Sequence, residues 1–385
     1  MAIYERIAEE LDKLEAQSNL RRLPHLTHQE KHVVVNGQKM INLSSNDYLG
    51  LAADRSLREE FLQQLTVDEF MPTSSSSRLL TGNFTIYDRL EEELANRFGT
   101  EAALVFNCGY HANNGILPAV CTSQTVILAD KLVHASLIDG IRLSNATCVR
   151  YRHNDLTQLQ RLIEKHHAQC DQLIVVTESV FSMDGDRADL RALVALKRQY
   201  PKVMLYVDEA HAFGLYGPTG LGCAEEEGCI ADIDFLVGTF GKAVASAGAY
   251  LVCNRLLRQW LINKMRPFIF TTALPPLQMA WTLFILRRLP AMGQRRLHLQ
   301  QLSASLRDAL RQRGMECPSE SHIIPLMIGP SSEAILRADA LQRHGFYLLP
   351  VRPPTVPEGT SRIRISLTAA LTQEELQQLI KAIDE

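Results

Sequence analysis

Phe235-Leu-Val-Gly-Thr-Phe-Gly-Lys242 is the stretch whose reading decides the fold. Phe235-Leu236-Val237 has the apolar run of a short buried strand, and Gly238 to Gly241 break it. A lysine stands just past the break, followed by the small residues Ala243 to Gly248. Upstream, Leu205-Tyr206-Val207 is a second buried-strand candidate, with Asp208-Glu-Ala-His211 at its C-terminal edge. In an open α/β sheet, ligands bind outside the carboxyl ends of the strands. Both strands therefore deliver chemistry-bearing residues to the ligand-binding edge. Alone, Lys242 reads as a solvated lysine and Asp208 as a helix cap; together they need neighbours.

Working outward, strand-like and helix-like segments alternate. Strands are expected at Leu104-Val-Phe106, Thr125-Val-Ile-Leu128, Cys148-Val-Arg-Tyr151, Leu173-Ile-Val-Val176, Val203–Val207 and Ala249–Cys253. Helices are expected from about His134, Asp155 and Asp189. This alternation predicts a mostly parallel sheet covered on both faces. Thr85–Phe98 predicts a helix with Ile86, Leu90, Leu94 and Phe98 on one face and Gly99 ending it. At the N-terminus, Ile3, Ile7, Leu11 and Leu14 recur at helical spacing among charges, a stripe that must pack on something. Asn36-Gly37 supplies a hairpin turn. Thr73 to Ser77, a run of small hydroxyls, reads equally as a linker or as an ordered loop. Beyond Arg287 a long charged helix leads into a smaller α/β unit. The division is an N-terminal helix-and-hairpin arm over 1–45, a large domain over 46–286 and a small C-terminal domain over 287–385.

Composition narrows the partners. A chain of 385 residues with 46% apolar residues can bury a sizeable core. A net charge of −3 gives no electrostatic case for nucleic acid or an anionic membrane. The eight cysteines contain no C-x-x-C pair, so reduced thiols in a cytoplasmic protein are expected, and no metal. The first twenty residues carry repeated charges unlike a signal peptide. The longest apolar stretch, Ala273–Leu286, is too short to span a bilayer.

Five consecutive strand ends each contribute a useful group. Asn107-Cys108-Gly109-Tyr110 opens a helix whose free N–H groups can take a phosphate. His134 follows the next strand, Ser182 the third, Asp208 and His211 the fourth, and Thr239 and Lys242 the fifth. A lysine able to form a Schiff base and an acid able to keep a ring nitrogen protonated suit one planar, phosphorylated, electron-poor ring, that of pyridoxal 5'-phosphate (PLP).

The set Ser44-Ser-Asn-Asp-Tyr-Leu-Gly50, Asp208-Glu-Ala-His211 and Thr239-Phe-Gly-Lys242 resembles the α-oxoamine synthases. These are fold-type I PLP enzymes that join an amino acid to an acyl thioester with loss of carbon dioxide. The resemblance runs over nearly the whole chain. The Arg352 to Ala370 segment is closest to the branch that makes 8-amino-7-oxononanoate for biotin from L-alanine and a pimeloyl thioester, pimeloyl-CoA or pimeloyl-acyl carrier protein.

The resemblance implies an α/β fold-type I PLP-dependent transferase acting as a homodimer. By it, Lys242 carries the cofactor and moves the α-proton, and Asp208 pairs with the pyridinium nitrogen. His211 and Ser182 approach the ring hydroxyl, His134 stacks on the ring face and meets the substrate, and Gly109, Tyr110 and Thr239 surround the phosphate. Thr271 or Thr272 reaches the phosphate of the neighbouring subunit. Arg364 is the amino-acid carboxylate clamp, with Arg21, Asn46 and Thr355 as further substrate contacts. Relatives usually carry glycines where this chain has Thr73 to Ser77. Biotin-branch relatives often have small residues where this chain has Phe213 and Tyr216.

Overall fold

The apolar runs between Ala102 and Cys253 pair into one seven-stranded sheet in the computed structural model, which describes residues 3–385. In chain order the strands are β1 (Ala102–Phe106), β2 (Thr125–Asp130), β3 (Thr147–Tyr151), β4 (Gln172–Glu178), β5 (Val203–Asp208), β6 (Phe235–Thr239) and β7 (Ala249–Cys253). Across the sheet they run β1-β7-β6-β5-β4-β2-β3. Four neighbouring pairs, from β3 through β2, β4 and β5 to β6, are parallel. β7 lies antiparallel to both β1 and β6, because the short 240–248 connection doubles back and leaves no room for a crossover helix.

Every residue of β1, β2 and β7 is buried, as strands covered on both faces require. Gly238 of β6 lies opposite Tyr250 of β7. A Cβ there would stand 2.4 Å from the Tyr250 hydroxyl, so the glycine makes room for the tyrosine ring. That ring packs with Phe213 at 4.8 Å and with Phe98 and Phe240, each at 5.4 Å.

The helices start where the sequence offers side-chain caps. α1 (Gly109–Val120) follows β1, and α2 (Ala135–Leu143) follows β2 with His134 as its N-cap. Asp155 and Asp189 cap the helices Leu156–His167 and Leu190–Gln199 by accepting from Gln158 N and Ala192 N. Thr85–Phe98 is helical as expected and closes on Gly99 in the left-handed conformation. The Thr73 to Ser77 run is an ordered loop. Ser74 Oγ donates to Ala273 O at 2.6 Å, and Ala273 N returns a bond to Ser76 O at 2.9 Å. These elements belong to a unit spanning Asp54–Ser182 and Arg187–Arg296.

A second unit gathers the chain up to Ala53, Met183–Asp186 and Leu297–Glu385. Its hairpin, His32–Val35 with Gln38–Asn42, turns on Asn36 (φ 50°) and Gly37 (φ 81°), the backbone that a tight two-residue turn demands. Phe346–Tyr347 adds in parallel to Gln38–Asn42. Ile323–Gly329, Ser361–Ser366 and Pro350–Val351 form an antiparallel three-stranded sheet. The closing helix Gln373–Asp384 begins with a Thr372–Glu375 capping box. The N-terminal helix Ile3–Ala16 forms, but none of its residues is buried, and Ile3 is 60% exposed. Of the stripe read as needing a packing partner, Ile3, Ile7 and Leu11 stay exposed and Leu14 is half-buried among the described residues.

Candidate active site

In the unit holding the seven-stranded sheet, Lys242 Nζ lies 2.8 Å from His211 Nε2, and His211 is buried. The two residues come from the turns after β6 and β5, so parallel pairing of those strands brings amine and imidazole together. Asp208 closes β5 and is buried at 6% exposure. Its Oδ2 accepts from Asn113 Nδ2 at 2.7 Å, and its Oδ1 from Ala210 N at 2.8 Å.

His134 is reached from the same amide. Asn113 Nδ2 also donates to Ser136 Oγ at 2.9 Å, and Ser136 Oγ lies 2.8 Å from His134 Nδ1. Ser136 N donates to that Nδ1 at 3.2 Å, and His134 N donates to Glu178 Oε1 at 2.5 Å. Burial, with a smaller contribution from Lys242, lowers the imidazole pKa against the opposing pull of Asp208 and Asp139. Burial, reinforced by Asp208, pushes the Glu178 carboxyl well above its ordinary value. The His134 backbone N–H donated to this carboxylate and the charge of Lys242 oppose that rise.

The phosphate candidates cluster at the start of α1. A Cβ on Gly109 would stand 3.8 Å from Thr239 Cβ, so the bare helix start faces the threonine that closes β6. Thr239 Oγ1 donates to Gly248 O at 3.0 Å and accepts from Gly241 N at 3.2 Å, which fixes the turn leading to Lys242. Tyr110 is exposed and hydrogen-bonded to Asp139. Asn107 Nδ2 donates to Thr272 O at 2.7 Å and lies 3.5 Å from Thr271 Oγ1, so Thr271 and Thr272 lie beside the end of β1. Ser182 lies beyond the end of β4. The donor set fits PLP: a lysine amine for an aldehyde, a buried carboxylate for a pyridinium, and a helix start for a phosphate. No group of three or more His, Cys, Asp or Glu placed to hold a metal ion occurs among the described residues.

Arg21, Asn46, Thr355 and Arg364 all belong to the other unit, in two pairs. Arg364 Nη1 donates to Ser366 Oγ at 2.6 Å and to Asn46 Oδ1 at 3.3 Å, while Nη2 donates to the Tyr48 hydroxyl at 3.1 Å. Tyr48 is fully buried and donates to Asn46 Oδ1 at 2.8 Å. The guanidinium is held in a fixed frame suited to a carboxylate. Arg21 Nη2 donates to Pro353 O at 3.1 Å and to Thr355 Oγ1 at 3.2 Å.

Sequence reasoning missed Asn113, Ser136, Glu178 and Tyr48. Tyr48 lies inside the Ser44 to Gly50 stretch, two residues from Asn46, and Ser136 lies two residues beyond His134. Asn113 signals itself only as one of two asparagines in a mostly apolar helix. Phe213 joins the aromatic core described above, and Tyr216 is buried with Arg187 4.8 Å over its ring.

The family model for aminotransferase class I and II matches residues 38–383. A protein of Neisseria meningitidis serogroup A, provisionally named 8-amino-7-oxononanoate synthase, is 57% identical over 370 residues, 96% of this chain and 97% of its own. One from Haemophilus influenzae with the same provisional name is 56% identical over 375 residues, 97% of this chain and 99% of its own. A serine palmitoyltransferase from S. paucimobilis, solved with a bound PLP derivative of myriocin, superposes with TM-score 0.90 at 30% identity, covering 98% of this chain and 96% of that one. The 8-amino-7-oxononanoate synthase of Francisella tularensis gives 0.76 at 28% identity, covering 89% and 96%. The backbone is common to enzymes of different substrate, so the higher identities carry more weight on the reaction than the higher superposition score.

Proposed function

The chain belongs to the aminotransferase class I and II family, as a fold-type I PLP enzyme of the 8-amino-7-oxononanoate synthase kind, and on that premise we propose its substrates and site roles. The reaction joins L-alanine to a pimeloyl thioester, on CoA or acyl carrier protein. The alanine α-carbon bonds to the acyl carbonyl carbon, the thiol leaves, the alanine carboxylate departs as carbon dioxide, and the α-carbon regains a proton. The product is 8-amino-7-oxononanoate. The observation that carries this reading is 57% identity over 96% of the chain.

PLP, when bound, supplies an electron sink for the carbanion at the amino acid's α-carbon. Lys242 Nζ holds the cofactor, then takes the α-proton and later returns it, with His211 Nε2 at 2.8 Å orienting the amine. Asp208 keeps the pyridine nitrogen protonated, and Ser182 and His211 serve the ring hydroxyl. His134 covers the ring face and meets the substrate. Gly109, Tyr110 and Thr239 take the phosphate, and Thr271 or Thr272 serves the partner subunit's. Arg364, steadied by Tyr48 and Ser366, clamps the alanine carboxylate, and Asn46, Arg21 and Thr355 are further substrate contacts.

The working form is a cytoplasmic homodimer, with an N-terminal arm over 1–45, a PLP domain over 46–286 and a small domain over 287–385. The exposed stripe of Ile3, Ile7 and Leu11 supports an interface, as do Leu80 and Phe270, 79% and 72% exposed. No helix among the described residues is long and apolar enough to cross a membrane.

The test crosses a panel of amino acids with acyl thioesters, read by product mass and carbon dioxide release. Alanine with pimeloyl thioester should lead. Glycine should be slower by roughly ten- to two-hundredfold, since one methyl discriminates by only about 1–3 kcal/mol. Preference for glycine or serine with another acyl-CoA would reassign the chain to a sibling reaction. Transamination without carbon dioxide would remove it from this chemistry.

A further inference from the structure

We propose that Asn113 is a positioning residue that ties the Asp208 carboxylate to the His134 imidazole, one amide hydrogen going to Asp208 Oδ2 and the other, through the Ser136 hydroxyl, reaching His134 Nδ1. The proposal rests on the PLP reading for its consequence, but its geometry belongs to the chain alone. Asn113 and Ser136 are each 1% exposed, and Tyr206 is fully buried. The amide has no water to turn to, and every polar atom on it is used. Oδ1 accepts from the Tyr206 hydroxyl at 2.8 Å, and Nδ2 donates to Asp208 at 2.7 Å and to Ser136 at 2.9 Å.

The orientation of the amide follows from its neighbours. Rotated by half a turn, its oxygen would face the Asp208 carboxylate, acceptor against acceptor. The nitrogen must therefore point at Asp208, which leaves Oδ1 for Tyr206. The Ser136 hydroxyl takes an Asn113 hydrogen on its oxygen, so its own hydrogen is free to point at His134 Nδ1, 2.8 Å away. Ser136 N donates to the same Nδ1, and a nitrogen that receives hydrogen bonds carries no proton. His134 is thereby held as the neutral tautomer with its proton on Nε2, and its lowered pKa agrees with that state. One side chain thus sets both the direction of the carboxylate proposed for the ring nitrogen and the protonated edge of the imidazole proposed for the ring face. Tyr206, on β5 two residues before Asp208, locks the amide in turn.

The experiment reads both arms in the cofactor-free protein, by the 15N resonances of the His134 ring and the 13C resonance of the Asp208 carboxyl. In the wild type, Nδ1 should show an unprotonated, hydrogen-bond-accepting nitrogen and Nε2 a protonated one. Ser136→Ala should move the His134 resonances and leave Asp208 in place. Asn113→Ala should move both, and Tyr206→Phe should move both by less. PLP affinity should follow the carboxylate arm, falling roughly tenfold in Asn113→Ala and little in Ser136→Ala. Asn113→Ala moving only one arm, or His134 carrying its proton on Nδ1, would overturn the proposal. Should Asn113→Ala fail to fold, Tyr206→Phe, which loses a single hydroxyl, decides: both arms unmoved is the refuting result. A wild type that takes up no PLP would refute the cofactor roles while leaving the two-arm coupling to stand or fall on the resonances.

Discussion

Replacing Glu209 with glutamine should reshape the pH dependence of stability. Glu209 follows Asp208 and is fully buried. Its Oε2 accepts from Ser179 Oγ at 2.7 Å and Cys223 N at 3.0 Å, and its Oε1 from Ala224 N at 2.7 Å. Burial pushes its pKa up from 4.5 to about 7, against these donors and Arg187, which pull it down. A carboxyl raised on folding holds its proton more tightly in the native state. Its stabilising contribution is therefore complete below about pH 4.5 and lost as pH rises through about 7. At about 1.4 kcal/mol per unit, that displacement makes the wild type about 3 kcal/mol less stable at alkaline than at acid pH through this group. Glutamine cannot ionise, so the slope disappears. Its NH2 must face one of the three donors, which costs about 1–3 kcal/mol at acid pH. The wild type should lead Glu209→Gln at about pH 5 and lose that lead by about pH 8. Paired urea or thermal midpoints by circular dichroism across that range measure the difference, in which the other carboxylates cancel. Parallel curves for the two proteins would refute the assignment.

Lys242→Ala should abolish the covalent, borohydride-reducible attachment of PLP and the yellow colour, read by absorbance and mass. Asp208→Asn should keep the cofactor and lose activity by roughly 100- to 1000-fold; near-normal turnover would release Asp208 from its role. Arg364→Ala should raise the KM for alanine by roughly ten- to hundredfold with PLP uptake unchanged, and Arg364→Lys should recover little of it. Glu91→Ala should destabilise by about 3–5 kcal/mol in denaturant titration, because the buried Glu91 carboxylate pairs with the Arg78 side chain, 8% exposed, at 2.5 Å and with Arg258 at 2.7 Å. Sedimentation at working concentration should give twice 43.2 kDa.

The strands that build the sheet were legible because a strand buried on both faces must be apolar along its length. Lys242, Asp208 and His134 were legible because each stands at the end of such a run. Asn113 was not. Its bond to Asp208 spans 95 residues of sequence, and nothing local distinguishes an amide that buries itself on a carboxylate from one that faces solvent. In the sequence Glu178 and Glu209 look like ordinary acids beside strands, since only tertiary burial raises their pKa values. Phe213 and Tyr216 follow the Asp208-Glu-Ala-His211 motif, where biotin-branch relatives often have small residues. The sheet interior claimed the first, and the Arg187 guanidinium covers the second.

The seating of β7 between β1 and β6 governs when, during synthesis, this sheet can be completed. β1 emerges early, yet its neighbour in the sheet is a strand that begins at Ala249, so the edge of β1 facing β7 waits unpaired while β2 to β6 are made. The helix start at Gly109 hangs from that waiting strand, and the lysine lies on the far side of the gap. A ribosome stalled before Cys253 would therefore hold a nascent chain with a bare apolar strand edge, a substrate for chaperones and a template for aggregation. Closing so long a loop is slow, and a cofactor held from both sides of the gap, as proposed above, would add its binding energy only after the last strand arrives.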